Sequence, residues 1–166
     1  MGVSGAGKST AARLLAERRE VPFVEGDLLH PATNIARMAA GHPLDDADRE
    51  PWLRALDGRI RDATRTGRGA VLSCSALKRA YRDRLRAAGP GVWFLYLALD
   101  RETARRRVAH RHGHFMPAAL LDSQFAALDP LAPDEPGLTV DAAEGTPAAL
   151  DRAEAALERF EAGRRG

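Results

Sequence analysis

The sequence predicts an α/β domain of three layers, in which a parallel sheet lies between helices. Short apolar, β-prone segments alternate with helical patterns along the 166 residues, the order expected of parallel strands joined by right-handed crossovers. The continuous apolar run at residues 92–99 is typical of a strand buried on both faces. We therefore predict a single domain over residues 1–166, with strands at residues 21–24, 69–74, 92–99 and 137–141.

The first nine residues carry the most specific pattern in the chain. Residues 2–9 match the phosphate-binding loop G-x-x-x-x-G-K-[ST] without a gap. In such a loop, glycines let backbone N–H groups approach the phosphates of ATP or GTP, the lysine reaches the β- and γ-phosphates, and the hydroxyl ligates Mg²⁺. The alternative is a glycine-rich turn that matches by chance. The predicted nucleotide-binding residues are Gly2, Val3, Ser4, Gly5, Ala6, Gly7, Lys8, Ser9 and Thr10, with Ser9 as the Mg²⁺ ligand.

A loop of this kind follows a buried strand in the middle of the sheet. The sequence as given has no strand before residue 1. We therefore expect that the first strand is missing and that the chain is an N-terminal truncation of the working enzyme. The alternative is a domain that folds without this strand and exposes a groove of unpaired backbone and apolar side chains.

Helical periodicity fills the segments between the strands. Asp45 or Asp46 is the expected cap of a long helix that tolerates Pro51 near its start and carries an apolar stripe predicted to lie in the core. The long helix has its acidic start within residues 44–49 and runs to about residue 66, and the other predicted helices cover residues 10–19, 32–40, 79–88, 101–110, 118–128 and 147–162.

Composition limits the classes of function. The net charge is +2 and the arginines are scattered along predicted helices, which is weak evidence for nucleic-acid binding. No run of eighteen apolar residues is present, so no membrane partner is expected. The single cysteine, Cys74, lacks metal-spaced partners and is interpreted as a core thiol, and we expect a cytoplasmic protein.

Two charged positions stand out after the loop. Asp27 follows the first predicted strand, where open α/β sheets bind ligands, and it could orient an acceptor hydroxyl and accept its proton, or hold Mg²⁺ through water. A helix N-cap or turn aspartate is the alternative. Lys8 and Lys78 are the only lysines in an arginine-rich chain, which makes Lys78 a second candidate. Arg37 could face the same cleft as His30, although a solvated helix face explains its spacing as well.

A cationic stretch at residues 111–117 suits a lid that closes over the triphosphate, with bounds of about 107–118. Its histidines could instead suggest zinc. Carboxylate or cysteine partners at regular spacing are missing from the sequence around them, so the lid is the favoured interpretation.

Five motifs in register closely resemble the bacterial gluconokinase family, and the resemblance runs nearly end to end. Besides the loop, they are Gly26-Asp27-Leu28-Leu29-His30-Pro31 with Asn34 and Met38, Pro43-Leu44 with Asp46, Asp48, Arg49, Pro51 and Trp52, Cys74-Ser75-Ala76-Leu77-Lys78 with Tyr81-Arg82-Asp83, and Arg111 with Gly113-His114-Phe115. The resemblance implies the P-loop kinase fold of adenylate and shikimate kinases. It also implies phosphorylation of the 6-hydroxyl of D-gluconate by ATP and Mg²⁺, giving 6-phosphogluconate, in a homodimer.

The resemblance assigns roles to matching positions. It implies that Lys8 and Ser9 handle phosphate and Mg²⁺ and that Asp27 lies beside the acceptor hydroxyl. It implies further that the polyol and its carboxylate are held by His30, Arg37, Lys78 and Arg82, and that the lid contributes Arg107 and Arg111. The rivals are another small-molecule kinase of the same fold, such as a shikimate-like kinase, and a nucleotide-binding protein inactivated by its short N-terminus.

Overall fold

A computed structural model describes residues 1–110 and 120–164 of the chain. Within the described residues the elements follow in the order α1 (Lys8–Arg18), β1 (Phe23–Glu25), α2 (Ala32–Ala39), α3 (Asp46–Thr66), β2 (Val71–Ser73), α4 (Arg79–Ala88), β3 (Phe94–Ala98), α5 (Arg101–Ala109), α6 (Leu121–Ala127), β4 (Gly137–Asp141) and α7 (Thr146–Gly163). A single turn of 3₁₀-helix, Gly26–Leu29, follows β1.

The strands form two parallel pairs. β1 pairs with β2 so that Phe23 lies opposite Val71, and β3 pairs with β4 so that Phe94 lies opposite Gly137. Met1 lies between the two pairs, because its amino group donates to the Leu95 carbonyl and the Gly2 N–H donates to the Ser75 carbonyl. The predicted α/β fold of parallel strands flanked by helices is confirmed, and all four predicted strands are present.

Apolar side chains from the two helical layers form two main core clusters. One contains Leu15 of α1, Leu97 of β3 and Leu150 of α7. The other contains the predicted stripe of α3 packed on α4 and β3, and its members include Trp52, Leu53, Leu56, Ile60, Leu85 and Phe94. The strands therefore lie between helices that bury both faces, as their uninterrupted apolar runs predict.

Helix α3 starts as its sequence predicts. The Asp45 carboxylate accepts from the Asp48 N–H, and the Asp48 carboxylate accepts from the Asp45 N–H, so the two form a reciprocal capping box. Pro51 lies early in the helix and Gly67 ends it in the left-handed conformation. This start fixes the loop before α3, which borders the candidate site.

The role that the resemblance implied for Arg82 of α4 requires a correction. The resemblance implied that it binds substrate, but its side chain is 0% exposed and forms a bidentate ion pair with Glu135, which is also fully buried. Its remaining N–H groups donate to the backbone carbonyl oxygens of Ala76, Leu77, Asp129 and Pro130. The guanidinium is saturated by the protein, so we reassign Arg82 from substrate binding to anchoring the segment after α6 onto α4.

Replacing Arg82 with methionine should therefore destabilise the fold. Arg82→Met leaves a buried carboxylate and several carbonyl groups without partners, which we expect to lower the free energy of unfolding by about 3–5 kcal/mol in urea titrations. The matched control is Arg86→Met on the same helix, where a partly exposed arginine contacts Asp83 at 3.4 Å. The control should change stability by no more than about 0.5 kcal/mol. Equal losses in the two variants would contradict the structural role of Arg82.

Candidate functional site

The loop at residues 2–9 adopts a backbone that only glycine accommodates easily. Gly2, Gly5 and Gly7 have φ angles of 139°, 84° and 85°. A Cβ atom on Gly2 would lie 2.7 Å from the Leu97 carbonyl oxygen, and one on Gly5 would lie 3.1 Å from the Ala104 carbonyl oxygen. The loop is therefore seated tightly against β3 and α5.

Two side chains from distant segments hold the loop. The Ser4 N–H donates to Oε1 of Gln124 at 2.7 Å, and Nε2 of Gln124 donates to the Ser4 hydroxyl at 3.1 Å. Arg107 donates to the Gly5 carbonyl at 3.3 Å and to the Ala142 carbonyl at 3.0 Å. Arg107, predicted to act in a lid, thus bridges the loop to the end of β4.

Lys8 and Ser9 open helix α1 directly after the loop. Nζ of Lys8 donates to the Val3 carbonyl at 3.0 Å, so the lysine side chain folds back along the loop. The amino end of α1 adds the positive end of a helix dipole at the same place. The predicted phosphate-binding residues therefore form one continuous loop and helix start.

Asp27 lies in the 3₁₀ turn that follows β1, and it shares a cleft with the loop. The N-cap of that turn is Glu25, so Asp27 is not a capping residue, but it does lie in a turn, which is the other form of its alternative interpretation. The cleft lies at the carboxyl ends of the parallel strands, where open α/β sheets bind ligands. Its lining includes Ser4, Lys8, Asp27, His30, Met38, Pro43, Arg49, Ser75, Leu77, Leu120, Ser123 and Gln124.

His30 forms a buried wall of this cleft. Its ring stacks on Trp52 with centroids 4.8 Å apart, and the Trp52 indole N–H donates to the Gly26 carbonyl. Burial, followed by the positive charge of Arg49, lowers the pKa of His30 to about 4. Nδ1 of His30 is buried and lacks a hydrogen-bond partner among the described residues. At neutral pH the ring is therefore uncharged and keeps one polar atom for a ligand.

The other two predicted substrate cations lie outside this lining. Lys78 lines an adjoining recess that shares Pro43, Arg49 and Ser123 with the cleft, and its Nζ donates to Asp46 at 2.6 Å. This contact holds the pKa of Asp46 below its usual value. The side chain of Arg37 is 48% exposed and pairs with Asp48 at 2.7 Å, as a solvated helix face predicts.

The predicted lid is only partly described. Arg107 belongs to helix α5, whereas Arg111 and residues 111–118 of the lid lie outside the described residues. Across residues 1–110 and 120–164, no group of three or more histidine, cysteine, aspartate or glutamate side chains could hold a metal ion. No helix of the described part is long and apolar enough to cross a membrane.

Arg49 and Gln124 are cleft residues that we did not predict as site residues. Arg49 directly faces the cleft at the start of α3, and its guanidinium lies 6.0 Å from the Tyr81 ring centre. The sequence pointed to Arg49 only through its place in a motif that carries the family resemblance. Gln124 is 120 residues from Ser4 along the chain, so its contact is set by tertiary packing alone.

Comparisons with known proteins agree on one family. A family model described as an AAA domain matches residues 1–131. The gluconokinase of Gluconobacter oxydans is 47% identical over 140 residues, which cover 84% of this chain and 79% of that protein. The thermoresistant gluconokinase of Escherichia coli is 43% identical over 140 residues, which cover 84% of this chain and 80% of that protein.

Solved structures agree with the sequence comparisons. A sugar kinase from Janibacter sp. HTCC2649 superposes with a TM-score of 0.91 at 44% identity, covering 95% of this chain and 91% of that one. A gluconokinase from Sinorhizobium meliloti gives a TM-score of 0.84 at 42% identity, covering 96% and 90%. An APS kinase from Mycobacterium tuberculosis, at 19% identity and a TM-score of 0.61, shares the fold.

The depressed pKa of His30 has a consequence for stability. Between pH 6.5 and about 4 the unfolded chain binds a proton at this histidine and the folded chain does not, so its contribution to stability should fall as the pH falls through that window. We expect an NMR titration of the His30 ring to give a midpoint near 4, with the signal identified by its loss in His30→Phe. That variant retains a ring against Trp52 and should lack this part of the pH dependence. A midpoint near 6.5 would contradict the buried, neutral ring.

Proposed function

The chain belongs to the gluconokinase family of P-loop kinases, and from this premise we propose that it transfers the γ-phosphoryl group of ATP to the 6-hydroxyl of D-gluconate. The product is 6-phospho-D-gluconate. The observation that carries the proposal is the convergence of Lys8, Asp27, His30 and Arg49 on one cleft next to the phosphate loop. A phosphate-binding end and a polyol-binding end in one cleft are what this transfer requires.

The loop binds the triphosphate in this proposal. The backbone of residues 2–9 surrounds the phosphates, and Lys8 leaves its carbonyl partner to meet the β- and γ-phosphate oxygens as charge develops on them. Arg107 braces the loop from the side of α5, and we propose that it acts together with Arg111 when the lid closes. Transfer is direct and in line, so the enzyme needs no covalent intermediate.

The residues present fit a magnesium ion. Mg²⁺ takes one or two protein oxygens together with waters and substrate phosphates, and it needs no dedicated protein cage. The hydroxyl of Ser9 at the start of α1 is the proposed ligand. The Asp27 carboxylate lies in the cleft that the neighbouring Lys8 lines, and it is available through water. When bound, the ion neutralises charge on the β- and γ-phosphate oxygens.

Asp27 and His30 handle the acceptor in this proposal. The Asp27 carboxylate orients the 6-hydroxyl and accepts its proton as the phosphoryl group arrives. The uncharged His30 ring, fixed by its stacking on Trp52, presents an unpaired buried nitrogen that suits a hydroxyl of the polyol. The two residues come from the turn after β1 and the start of the next loop, so one local segment sets both positions.

A cation must receive the carboxylate of gluconate at the far end of the sugar acid. Arg49 is the best placed, because it lines the cleft itself and its planar guanidinium can bind a carboxylate with two hydrogen bonds. Lys78 is a second candidate from the adjoining recess, where it would have to exchange its contact with Asp46. The proposal also keeps the homodimer that the resemblance implies and the cytoplasmic location expected from composition.

Removing the charge of Asp27 should abolish most of the activity and leave the fold intact. We expect Asp27→Asn to lower kcat for ATP- and Mg²⁺-dependent phosphorylation of gluconate about 100-fold or more, because general-base and orienting groups contribute on that scale. The melting temperature should stay within a few degrees. Asp62→Asn, on an exposed position of α3, is the matched control and should retain the full rate. A near-normal rate in Asp27→Asn would remove the catalytic role, and a preference for shikimate over gluconate would favour the rival kinase.

An uncharged analogue of gluconate can show which residue binds the carboxylate of the substrate. We expect Arg49→Met to raise KM for gluconate about tenfold or more, since a hydrogen bond to a charged group contributes about 1.5–3 kcal/mol. The same change should have little effect on the low activity with gluconamide, which lacks the charge. Arg37→Met, which breaks an exposed ion pair, is the control and should raise KM less than about threefold. If Lys78→Met and not Arg49→Met removes the preference for gluconate, the contact belongs to the recess.

A further inference from the structure

Ser4 of the phosphate loop and Gln124 of α6 form a closed pair of hydrogen bonds. The Ser4 N–H donates to Oε1 of Gln124 at 2.7 Å, and Nε2 of Gln124 donates to the Ser4 hydroxyl oxygen at 3.1 Å. Both residues are only 8% exposed, and both line the cleft that also contains Lys8 and Asp27. The pair therefore lies in the cleft to which we assign the phosphoryl transfer.

The backbone N–H of Ser4 fixes the orientation of the Gln124 amide. A backbone N–H can only donate, so the amide presents its oxygen to the Ser4 nitrogen and its NH₂ group to the Ser4 hydroxyl. In the reversed orientation two N–H groups would face each other. The Ser4 hydroxyl oxygen is therefore the acceptor in this pair, and its own hydrogen points away from Gln124.

The Ser4 hydroxyl hydrogen is not used by the described part of the chain. Across residues 1–110 and 120–164, no hydrogen bond has this hydroxyl as its donor, and its one contact is the bond that it accepts. The Ser4 N–H is bound to Gln124 and is therefore turned away from any phosphate. The donor that Ser4 can offer to a ligand in the cleft is thus its side chain and not its backbone.

Helix α6 holds Gln124 in a fixed position next to the acceptor side of the cleft. Leu120, which precedes α6, is buried against Met38 of α2 and Leu44 of the loop before α3. Leu121 is buried in the core cluster of α1, β3 and α7. Because the start of α6 is packed into two clusters, the amide of Gln124 has a set position relative to the loop and to the wall of the cleft.

A transferring phosphoryl group supplies the acceptor that the Ser4 hydroxyl lacks. During transfer, negative charge is spread over the three equatorial oxygens of the γ-phosphoryl group. A donor that is held in place before the reaction stabilises this charge without having to reorganise. Lys8 lines the same cleft, so both side chains can donate to one phosphoryl group.

We propose that the Ser4 hydroxyl is a catalytic group that donates a hydrogen bond to a γ-phosphoryl oxygen in the transition state, and that Gln124 is the positioning residue that directs it. The inference rests on the proposed ATP-dependent transfer, and it gives the Ser4 side chain a role apart from the backbone of the loop. A fixed donor of this kind stabilises the transition state more than bound ATP. Its loss should therefore lower kcat more than the affinity for ATP.

The first test removes the hydroxyl and keeps the backbone contact. We expect Ser4→Ala to lower kcat for phosphorylation of gluconate about tenfold or more. The Kd of Mg-ATP, measured by calorimetry without gluconate, should change less than about twofold. Thr66→Ala removes an exposed hydroxyl at the end of α3 and is the control that should retain kcat. A kcat of Ser4→Ala close to that of the unaltered chain, or an equal loss of ATP affinity, would overturn the catalytic role.

The second test separates the positioning of the hydroxyl from the packing of the loop. In Gln124→Glu the carboxylate still accepts from the Ser4 N–H, but it also accepts from the Ser4 hydroxyl and draws that hydrogen away from the phosphoryl group. We expect kcat to fall about as far as in Ser4→Ala, and the double variant should lie within about threefold of Ser4→Ala. A normal kcat in Gln124→Glu, or losses that multiply in the double variant, would overturn the positioning role.

A mimic of the transferring group makes the test independent of the acceptor. ADP with aluminium fluoride carries a planar group in place of the phosphoryl group, whereas ADP alone carries none. We expect Ser4→Ala to bind the mimic about tenfold or more weakly and to bind ADP alone within about twofold of the unaltered chain. Equal binding of the mimic by the two proteins would overturn the inference. A lack of 6-phospho-D-gluconate with the unaltered chain would instead contradict the proposed function, and the binding comparison would still decide the role of Ser4.

Discussion

The close seating of the phosphate loop on β3 and α5 is the constraint on which the site depends. A side chain at Gly2 would collide with the carbonyl oxygen of Leu97, and one at Gly5 would crowd that of Ala104. This contact fixes the direction in which the loop enters helix α1. It therefore fixes Lys8 and Ser9 relative to the strands, and through them the distance between the phosphates and any acceptor in the cleft.

The acceptor side is built by a separate chain of contacts that ends at the same cleft. The capping box starts α3, α3 carries Trp52, and Trp52 both stacks on His30 and binds the Gly26 carbonyl next to Asp27. The positions of Asp27 and His30 are thus set by core packing rather than by a mobile surface. The buried ion pair between Arg82 and Glu135 holds the segment after α6 against α4, which explains why an arginine in a family motif can be structural.

The sequence patterns correctly predicted those structural features that depend only on neighbouring residues in the chain. The four strands, the long capped helix and the phosphate loop each have a periodicity or spacing that acts over a few residues, and the structure has all of them. The roles of individual arginines could not be predicted in this way. Arg49 and Arg82 both belong to motifs of the family, and only the packing of α3 and α4 brings one into the cleft and buries the other. Gln124 reaches the loop from a helix 120 residues away, a contact that no local pattern reports.

The central claim is that one cleft aligns the γ-phosphate of ATP with the terminal hydroxyl of gluconate, and the position of the new phosphate tests it most directly. The product formed from ATP and uniformly ¹³C-labelled D-gluconate can be analysed by NMR for coupling between phosphorus and carbon. The account predicts coupling to C6 and its neighbour C5, with the C6 signal shifted and the carboxylate unchanged. Phosphorus attached at another carbon, or phosphate released to water with gluconate unaltered, would contradict it.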